Sequence, residues 1–357
     1  MPSPFLTKLL FPIARDELVQ KHELIYFFWE CTLRCNLNCL HCGSDCLCKS
    51  ETKDMPLSDF LKVLDDIKEK NIAPNMTVCI TGGEPLLRAD LETAGKEIVS
   101  RGFHWGLVTN GLLLSEKRFA SLIESGISTI SISLDGFEKE HNFLRQHEHS
   151  FEKSLAAIKT VLNFLKNNPK KIGFDVITCV HRGNLESLPA FRDFLMELGL
   201  RNWRIFSIFP SGRAADNDLS LNPDEYRKLM DFIAESRKLI HVNYSCEGFL
   251  GKYELKVRDT PFYCKSGINI GSIFCDGTIG GCLSVRNEFF RQGNIYGDSF
   301  SDVWNSKFQS MRDRSWAKSG RCAKCRKWKL CQGGALHLRS KEQNDAPFCN
   351  YEILVKS

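Results

Sequence analysis

Between Glu23 and about Leu239 the chain alternates short apolar runs with helical patterns, and this alternation constrains the fold more than any other feature. Strands are predicted at Leu24–Trp29, Thr77–Ile80, Gly106–Val108, Thr129–Leu134, Ile172–Val180 and Arg204–Ile208. The segments between them carry helical signals. After Ser58, residues Phe60, Leu61, Leu64 and Ile67 line one helical face. Asn222-Pro223-Asp224-Glu225 combines a cap, a first-turn proline and an acid three residues after the cap. Gly102, Gly126 and Gly199 stand where left-handed C-caps would end helices. Strands each followed by a helix predict an α/β fold with a parallel sheet and right-handed crossovers. Functional loops of such sheets gather at the C-terminal ends of the strands.

After about Ile240 the alternation stops, and short segments rich in Gly and Cys run through Cys349. The expected division is an extension over 1–22, a core over 23–240 and a cysteine-rich part over 241–357. A length of 357 residues suits one large domain and a smaller one. With 43% hydrophobic and 25% charged residues there is enough apolar material for a sizeable core. The net charge of +5 is modest, and no Lys/Arg run carries interleaved aromatics, so nucleic acid is not an expected partner. Met1–Arg15 is broken by Pro4, Lys8 and Pro12 and lacks the basic start and cleavage site of a signal peptide. Ser3-Pro4 is read instead as the cap of a short helix that covers core surface. No stretch approaches the length of a membrane span. Sixteen cysteines without a secretory signal point to metal ligands or catalytic groups in a reducing compartment, so a cytoplasmic protein is expected.

Just past the first strand lies Cys35-Asn-Leu-Asn-Cys39-Leu-His-Cys42, a C-x3-C-x2-C spacing. Three thiolates on so short a loop can ligate three irons of a cubane iron–sulfur cluster. An electron-transfer ferredoxin usually closes all four positions with cysteine. An iron left open can bind a substrate or cofactor, which points to catalysis. Structural zinc, closed by four ligands, is the competing reading of such cysteines. Cys31, Cys46 and Cys48 read as spare thiols near the loop. The motif, with His41 in an often-aromatic slot, resembles the cluster loop of radical S-adenosylmethionine (radical SAM) enzymes. That resemblance implies a partial (β/α)6 barrel of TIM type.

Thr81-Gly82-Gly83-Glu84-Pro85 follows the second strand and resembles the GGEP motif that holds the methionine amino group of SAM. Thr109-Asn110-Gly111 ends the third strand and is both a family feature and an ordinary turn signal. On the fourth strand Ser131, Ser133 and Asp135 share one face, and three polar groups there need partners that a ligand can supply. Relatives use the serine of this Ser-Leu-Asp-Gly run and an arginine twelve residues on to hold SAM, which implies Ser133 and Arg145. A surface ion pair is the competing reading for Arg145. Phe209-Pro210-Ser211-Gly212-Arg213 resembles the family's adenine-side turn. The implied chemistry is reductive cleavage of SAM to a 5′-deoxyadenosyl radical that abstracts a substrate hydrogen.

Cys264, Gly277, Cys282, then Cys322-x2-Cys325-x5-Cys331 and Cys349 resemble the SPASM extension, which binds auxiliary iron–sulfur clusters. The resemblance implies that Cys322, Cys325, Cys331 and Cys349 hold one 4Fe–4S cluster. A further family cysteine falls on Ala335, leaving Cys264 and Cys282 for the other cluster, with Cys275 a substitute to be tested. Leu283 stands where sulfatase-maturing relatives carry an aspartate base, which disfavours that activity. The expected function is modification of a peptide or small protein, with ferredoxin or flavodoxin as electron donor. Haem side-chain modification is the alternative within the enzyme class, and a non-catalytic iron–sulfur electron-transfer or scaffold protein is the alternative outside it.

Overall fold

The computed structural model describes residues 4–169, 171–245, 248–339 and 348–355. The strands are β1 (Tyr26–Glu30), β2 (Thr77–Thr81), β3 (His104–Thr109), β4 (Thr129–Ser133), β5 (Gly173–Val180), β6 (Asn202–Ser207), β7 (His241–Tyr244), β8 (Ile270–Ile273), β9 (Thr278–Gly280) and β10 (Gly293–Asn294). They form one sheet in the order β10-β9-β8-β1-β2-β3-β4-β5-β6-β7. From β8 through β1 to β7 every pairing is parallel, and β9 and β10 add antiparallel. All the predicted strands are present, and the sheet curls into the partial barrel.

The helices that cover it are α1 (Pro4–Lys21), α2 (Leu57–Glu69), α3 (Leu91–Ser100), α4 (Glu116–Glu124), α5 (Glu138–Arg145), α6 (Ser150–Asn167), α7 (Leu188–Glu197) and α8 (Pro223–Ser236). Strand parity sets the two faces of the sheet. Phe27 and Trp29 of β1 pack outward on Phe60 of α2, with Trp29 stacked at 4.0 Å. Phe28 and Glu30 therefore take the inner face. Helix α8 starts with the expected capping box on Asn222 and Glu225. Gly102, Gly126 and Gly199 have φ of +88°, +81° and +89°, as left-handed caps require.

Two features differ from the sequence reading. The sheet does not end near residue 240, because β7 and β8 extend it on either side. Each is four residues long, too short to show periodicity, and β8 packs its Gly271 backbone against Leu24, Phe300 and Trp304. Helix α1 is not short, and its 18 residues pass through Pro12. It meets the cysteine-rich part, where Arg15 donates to the Lys329 carbonyl at 2.8 Å and Phe11 meets Tyr263 at 6.0 Å. Ser3 lies outside the described residues. The cysteine-rich part is fastened to the barrel through Phe300 on Phe27 (4.8 Å) and through Asp66 of α2, which accepts from the Ser301 amide at 2.8 Å. Among the described residues, no helix is long and apolar enough to cross a membrane.

Candidate active site

The loop after β1 carries Cys35, Cys39 and Cys42, and neighbouring loops clasp its backbone from several sides. The Cys35 amide donates to the Leu47 carbonyl at 2.8 Å, and the Leu40 amide donates to the carbonyl of Leu144 in α5 at 2.9 Å. Arg213, after β6, donates from its amide to the Cys42 carbonyl at 3.1 Å and from Nε to the Cys39 carbonyl at 2.9 Å. The turn after β2 closes another side, with the Gly83 amide on Thr32 O at 2.7 Å and the Glu84 amide on Arg34 O at 2.9 Å. A Cβ on Gly83 would lie 2.1 Å from the Arg34 carbonyl oxygen, and Gly82 has φ +139°. These glycines let the two loops touch each other.

Glu84 is the staple of that turn. Its carboxylate accepts from Thr109 Oγ1 (2.8 Å), the Asn110 amide (2.8 Å) and the Leu86 amide (3.0 Å). Burial pushes its pKa up, against the pull of those hydrogen bonds. Asn110 in turn donates from Nδ2 to Asn36 of the cluster loop at 2.8 Å. Thr109-Asn110-Gly111 is thus a strut behind the loop.

The β4 residues divide by role. Ser131 does not wait for a ligand: it donates to Asp175 at 2.5 Å and accepts from Arg204 at 2.7 Å, and Arg204 also grips Asp175. Asp135 is fully buried, accepting from Arg145 Nε at 2.6 Å and the Cys179 amide at 2.8 Å. Its carboxylate positions the guanidinium. Burial raises its pKa, but the charge of Arg145, His141, His41 and the Arg145 hydrogen bond together outweigh this and hold it down at about 2. Arg145 is 8% exposed, so the surface ion-pair reading fails. Its free arm, Nη1, reaches Cys39 Sγ at 3.8 Å. The hydroxyl of buried Ser133 has no protein partner among the described residues. His41 is half-buried with its Nδ1 enclosed and unpaired, and desolvation holds its pKa down at about 3, so the ring is neutral.

The thiols differ in readiness. Burial pushes Cys35 up to about 12, and it raises Cys39 against the pull of Arg145. Cys42 is held down at about 5, chiefly by a hydrogen bond from the Cys46 thiol. Among the described residues no three His, Cys, Asp or Glu donors converge on a single-ion site. The thiols of Cys35 and Cys39 instead share one buried group, with Cys42 packed against it. Buried sulfur donors, an arginine beside one of them and the unpaired His41 nitrogen suit an iron–sulfur cluster with SAM alongside.

In the cysteine-rich part, Cys322, Cys331 and Cys349 lie within electrostatic range of one another. Arg339 Nη2 donates to Cys322 Sγ at 2.9 Å, and the Lys327 amide donates to Cys325 Sγ at 3.4 Å. Cys331 is pushed up to about 12 by burial. Cys264 and Cys282 also face each other, and Cys264 packs on Ala335 with Phe262 and Leu338. Cys275 is elsewhere. It neighbours Cys31, and its thiol donates to the Lys53 carbonyl at 3.5 Å.

The sequence reading passed over Arg204, Asp175 and Asn36. Arg204 and Asp175 had one available signal, the polar residues at inner-face positions of otherwise apolar strands. It also passed over Glu30, 1% exposed, which pairs with Arg286 from the cysteine-rich part.

Comparison with known proteins finds two family patterns in the chain. The Radical SAM superfamily pattern matches residues 29–195, and the SPASM iron-sulfur cluster-binding domain matches residues 264–326. The AdoMet-dependent heme synthase of Methanosarcina barkeri is 26% identical, across 90% of this chain and 95% of its own. Mycofactocin maturase MftC of Mycolicibacterium smegmatis is 26% identical, across 86% of this chain and 77% of its own. The crystal structure of Streptococcus suis SuiB bound to S-adenosylmethionine superposes with a TM-score of 0.71 at 16% identity, over 99% of this chain and 84% of that one. The chain belongs to the radical SAM superfamily and to its SPASM-containing subgroup. It is an enzyme whose cofactors are a 4Fe–4S cluster, S-adenosylmethionine and at least one auxiliary cluster.

Proposed function

We propose that this enzyme modifies a peptide or small protein by hydrogen abstraction, with SAM held between the Cys35–Cys39–Cys42 loop and Arg145. The observation that carries the site assignment is Arg145 itself: a buried cation, anchored by Asp135, with one arm at Cys39 Sγ and so able to face a carboxylate at the cluster. When bound there, the reduced cluster supplies the electron that cleaves SAM to a 5′-deoxyadenosyl radical. The chain's own part is to hold and orient. Cys35, Cys39 and Cys42 give three sulfur ligands, and Glu84 stiffens the turn that faces the methionine end. Ser133 offers a free hydroxyl, and neutral His41 offers a ring face and an unpaired nitrogen. Cys322, Cys325, Cys331 and Cys349 hold the auxiliary cluster.

The peptide reading is supported by the cleft between barrel and cysteine-rich part. Its lining mixes the apolar Leu33 and Phe274 with Glu30, Thr52, Asp276, Thr278, Arg286 and Arg291, and its volume is about 110 Å³. Ligand sites for flat, drug-sized molecules are mostly apolar and on the order of 300–1,000 Å³. A small cleft of mixed charge suits a side chain on a peptide better than a macrocycle. The mycofactocin maturase among its relatives fits this reading. A second reading, haem side-chain modification, is favoured by the full-length match to a heme synthase and by Arg286 and Arg291, which could meet carboxylate side chains. The electron donor proposed is ferredoxin or flavodoxin, and the compartment is the reducing cytoplasm.

The test is anaerobic. Reconstituted protein reduced with dithionite should convert SAM to 5′-deoxyadenosine, and Cys39→Ala should stop this without changing the far-UV spectrum. Full turnover in Cys39→Ala with cluster loss verified by iron analysis overturns the assignment. Peptides encoded beside the gene and an iron porphyrin bearing propionates are then offered in parallel. A mass change in one substrate alone decides between the readings.

A further inference from the structure

Arg339, in the cysteine-rich part, is a buried cation, 8% exposed. Its guanidinium is held on three sides. Nε donates to the Gly333 carbonyl at 2.6 Å, Nη1 to the Ala317 carbonyl at 3.1 Å and Nη2 to Cys322 Sγ at 2.9 Å. The seat is shaped for it: Gly333 has φ +83°, and a Cβ there would lie 2.8 Å from Arg339 Cζ. Among the described residues no carboxylate pairs with this cation. A buried charge without a counter-charge is costly, and a neutral thiol is only a weak acceptor. Cysteine bound to a metal is a thiolate, so ligation would supply the missing anion at the atom that Nη2 already faces. The other donors near these cysteines differ. Lys324 and Arg326 are exposed, and the Lys327 amide that reaches Cys325 Sγ at 3.4 Å is neutral.

From this arrangement, and resting on the auxiliary-cluster ligands proposed above, we infer that Arg339 raises the reduction potential of the auxiliary cluster through its hydrogen bond to Cys322. Net charge and hydrogen bonds to sulfur are among the levers that set an iron–sulfur potential. Reduction adds one electron from the donor to the oxidised cluster, with no bond broken and no proton moved. The ligand sulfurs become more negative, and a guanidinium 2.9 Å from one of them gains attraction. Because the pair is buried, that gain is little screened. Arg339 therefore favours the reduced state over the oxidised one, and the cluster becomes easier to reduce.

The test reads a potential rather than activity. Full-length reconstituted protein carrying Cys35/Cys39/Cys42→Ala is the parent, so that only auxiliary iron is titrated. Dithionite with redox mediators supplies the electrons, and EPR follows the reduced cluster. Arg339→Gln should lower the equilibrium constant for reduction about tenfold, which is roughly 59 mV for one electron. Arg339→Lys keeps the charge, but one ammonium cannot replace the fork on all three acceptors, and its potential should fall between Arg339→Gln and the parent. Arg326→Gln removes an exposed cation next to Cys325 and should stay within about twofold of the parent. A merely structural Arg339 would change iron content or unfolding in urea and leave the potential of the assembled cluster where it was. A potential within about twofold of the parent, in whichever Arg339 variant holds about four iron and four sulfide per chain, overturns the inference. So does an equal shift in Arg326→Gln, because any nearby charge would then serve. A parent with no auxiliary iron at all overturns instead the ligand assignment on which the inference rests.

Discussion

Arg145→Ala removes two interactions at once, and they can be separated. Asp135 has no solvent exposure, and its carboxylate accepts from Arg145 and from one backbone amide. Truncating the arginine strands that charge, which costs about 3–5 kcal/mol of folding stability. The second loss is a charge-assisted contact to the SAM carboxylate, about 1.5–3 kcal/mol. In dissociation constant this is roughly ten- to 150-fold. Pairing Arg145→Ala with Asp135→Asn removes the stranded charge and keeps an acceptor for the Cys179 amide. The double variant should recover most of the stability in urea unfolding of the apoprotein. Titration calorimetry of the reconstituted protein should still show the full deficit in SAM affinity. If the double variant regains affinity along with stability, or the single variant never loses it, Arg145 acts through the fold and does not touch SAM.

Two further expectations concern metal content and pH. A Cys35/Cys39/Cys42→Ala variant should retain one auxiliary cluster, with iron and sulfide each about four per chain, because Cys322, Cys325, Cys331 and Cys349 can saturate a cubane. Adding Cys264→Ala and Cys282→Ala should leave that content unchanged; a starting content of about eight that falls to about four would instead show that the pair holds a second cluster beside Ala335, and zinc in place of iron would refute the auxiliary-cluster assignment. His141 is buried, accepts from the Asp135 amide through Nδ1, and is held down at about 4 by burial. A histidine depressed in the folded state contributes its full stability above the unfolded value of about 6.5 and loses it as pH falls toward the folded value. Apoprotein stability should therefore fall by roughly 3 kcal/mol per such histidine between pH 6.5 and 4. His141→Asn, whose side-chain oxygen can replace Nδ1 as acceptor, should flatten part of that slope in urea titrations.

Much of the fold was legible because parallel strands buried on both faces read as apolar runs, and caps such as Asn222 and Gly126 mark helix ends by their own chemistry. The strands β7 and β8 were not legible, since four residues show no period, and β8 packs on Phe300 and Trp304 from far along the chain. At the site, spacing alone picked out Cys35, Cys39 and Cys42. It could not show that Glu84 and Asp135 spend their carboxylates on the protein, because a hydrogen-bond partner 26 or 44 residues distant leaves no local trace. Cys46 was readable as a residue but not as a neighbour. Its backbone carbonyl is held by Arg213, which lies 167 residues further on.

The parallel pairing of β8 with β1 also changes what the cysteine-rich part is for. It makes that part a wall of the barrel, not an appendage, and sets Cys275 at the strand end, where its amide donates to Glu30 at 3.2 Å. The other oxygen of Glu30 binds Arg286, and the same Nη2 of Arg286 donates to Ser44 at 2.6 Å. Ser44 stands two residues from Cys42 and two from Cys46. Arg286 and Glu30 also line the cleft proposed for substrate. One buried carboxylate therefore joins the barrel strand, the cluster loop and the cleft wall.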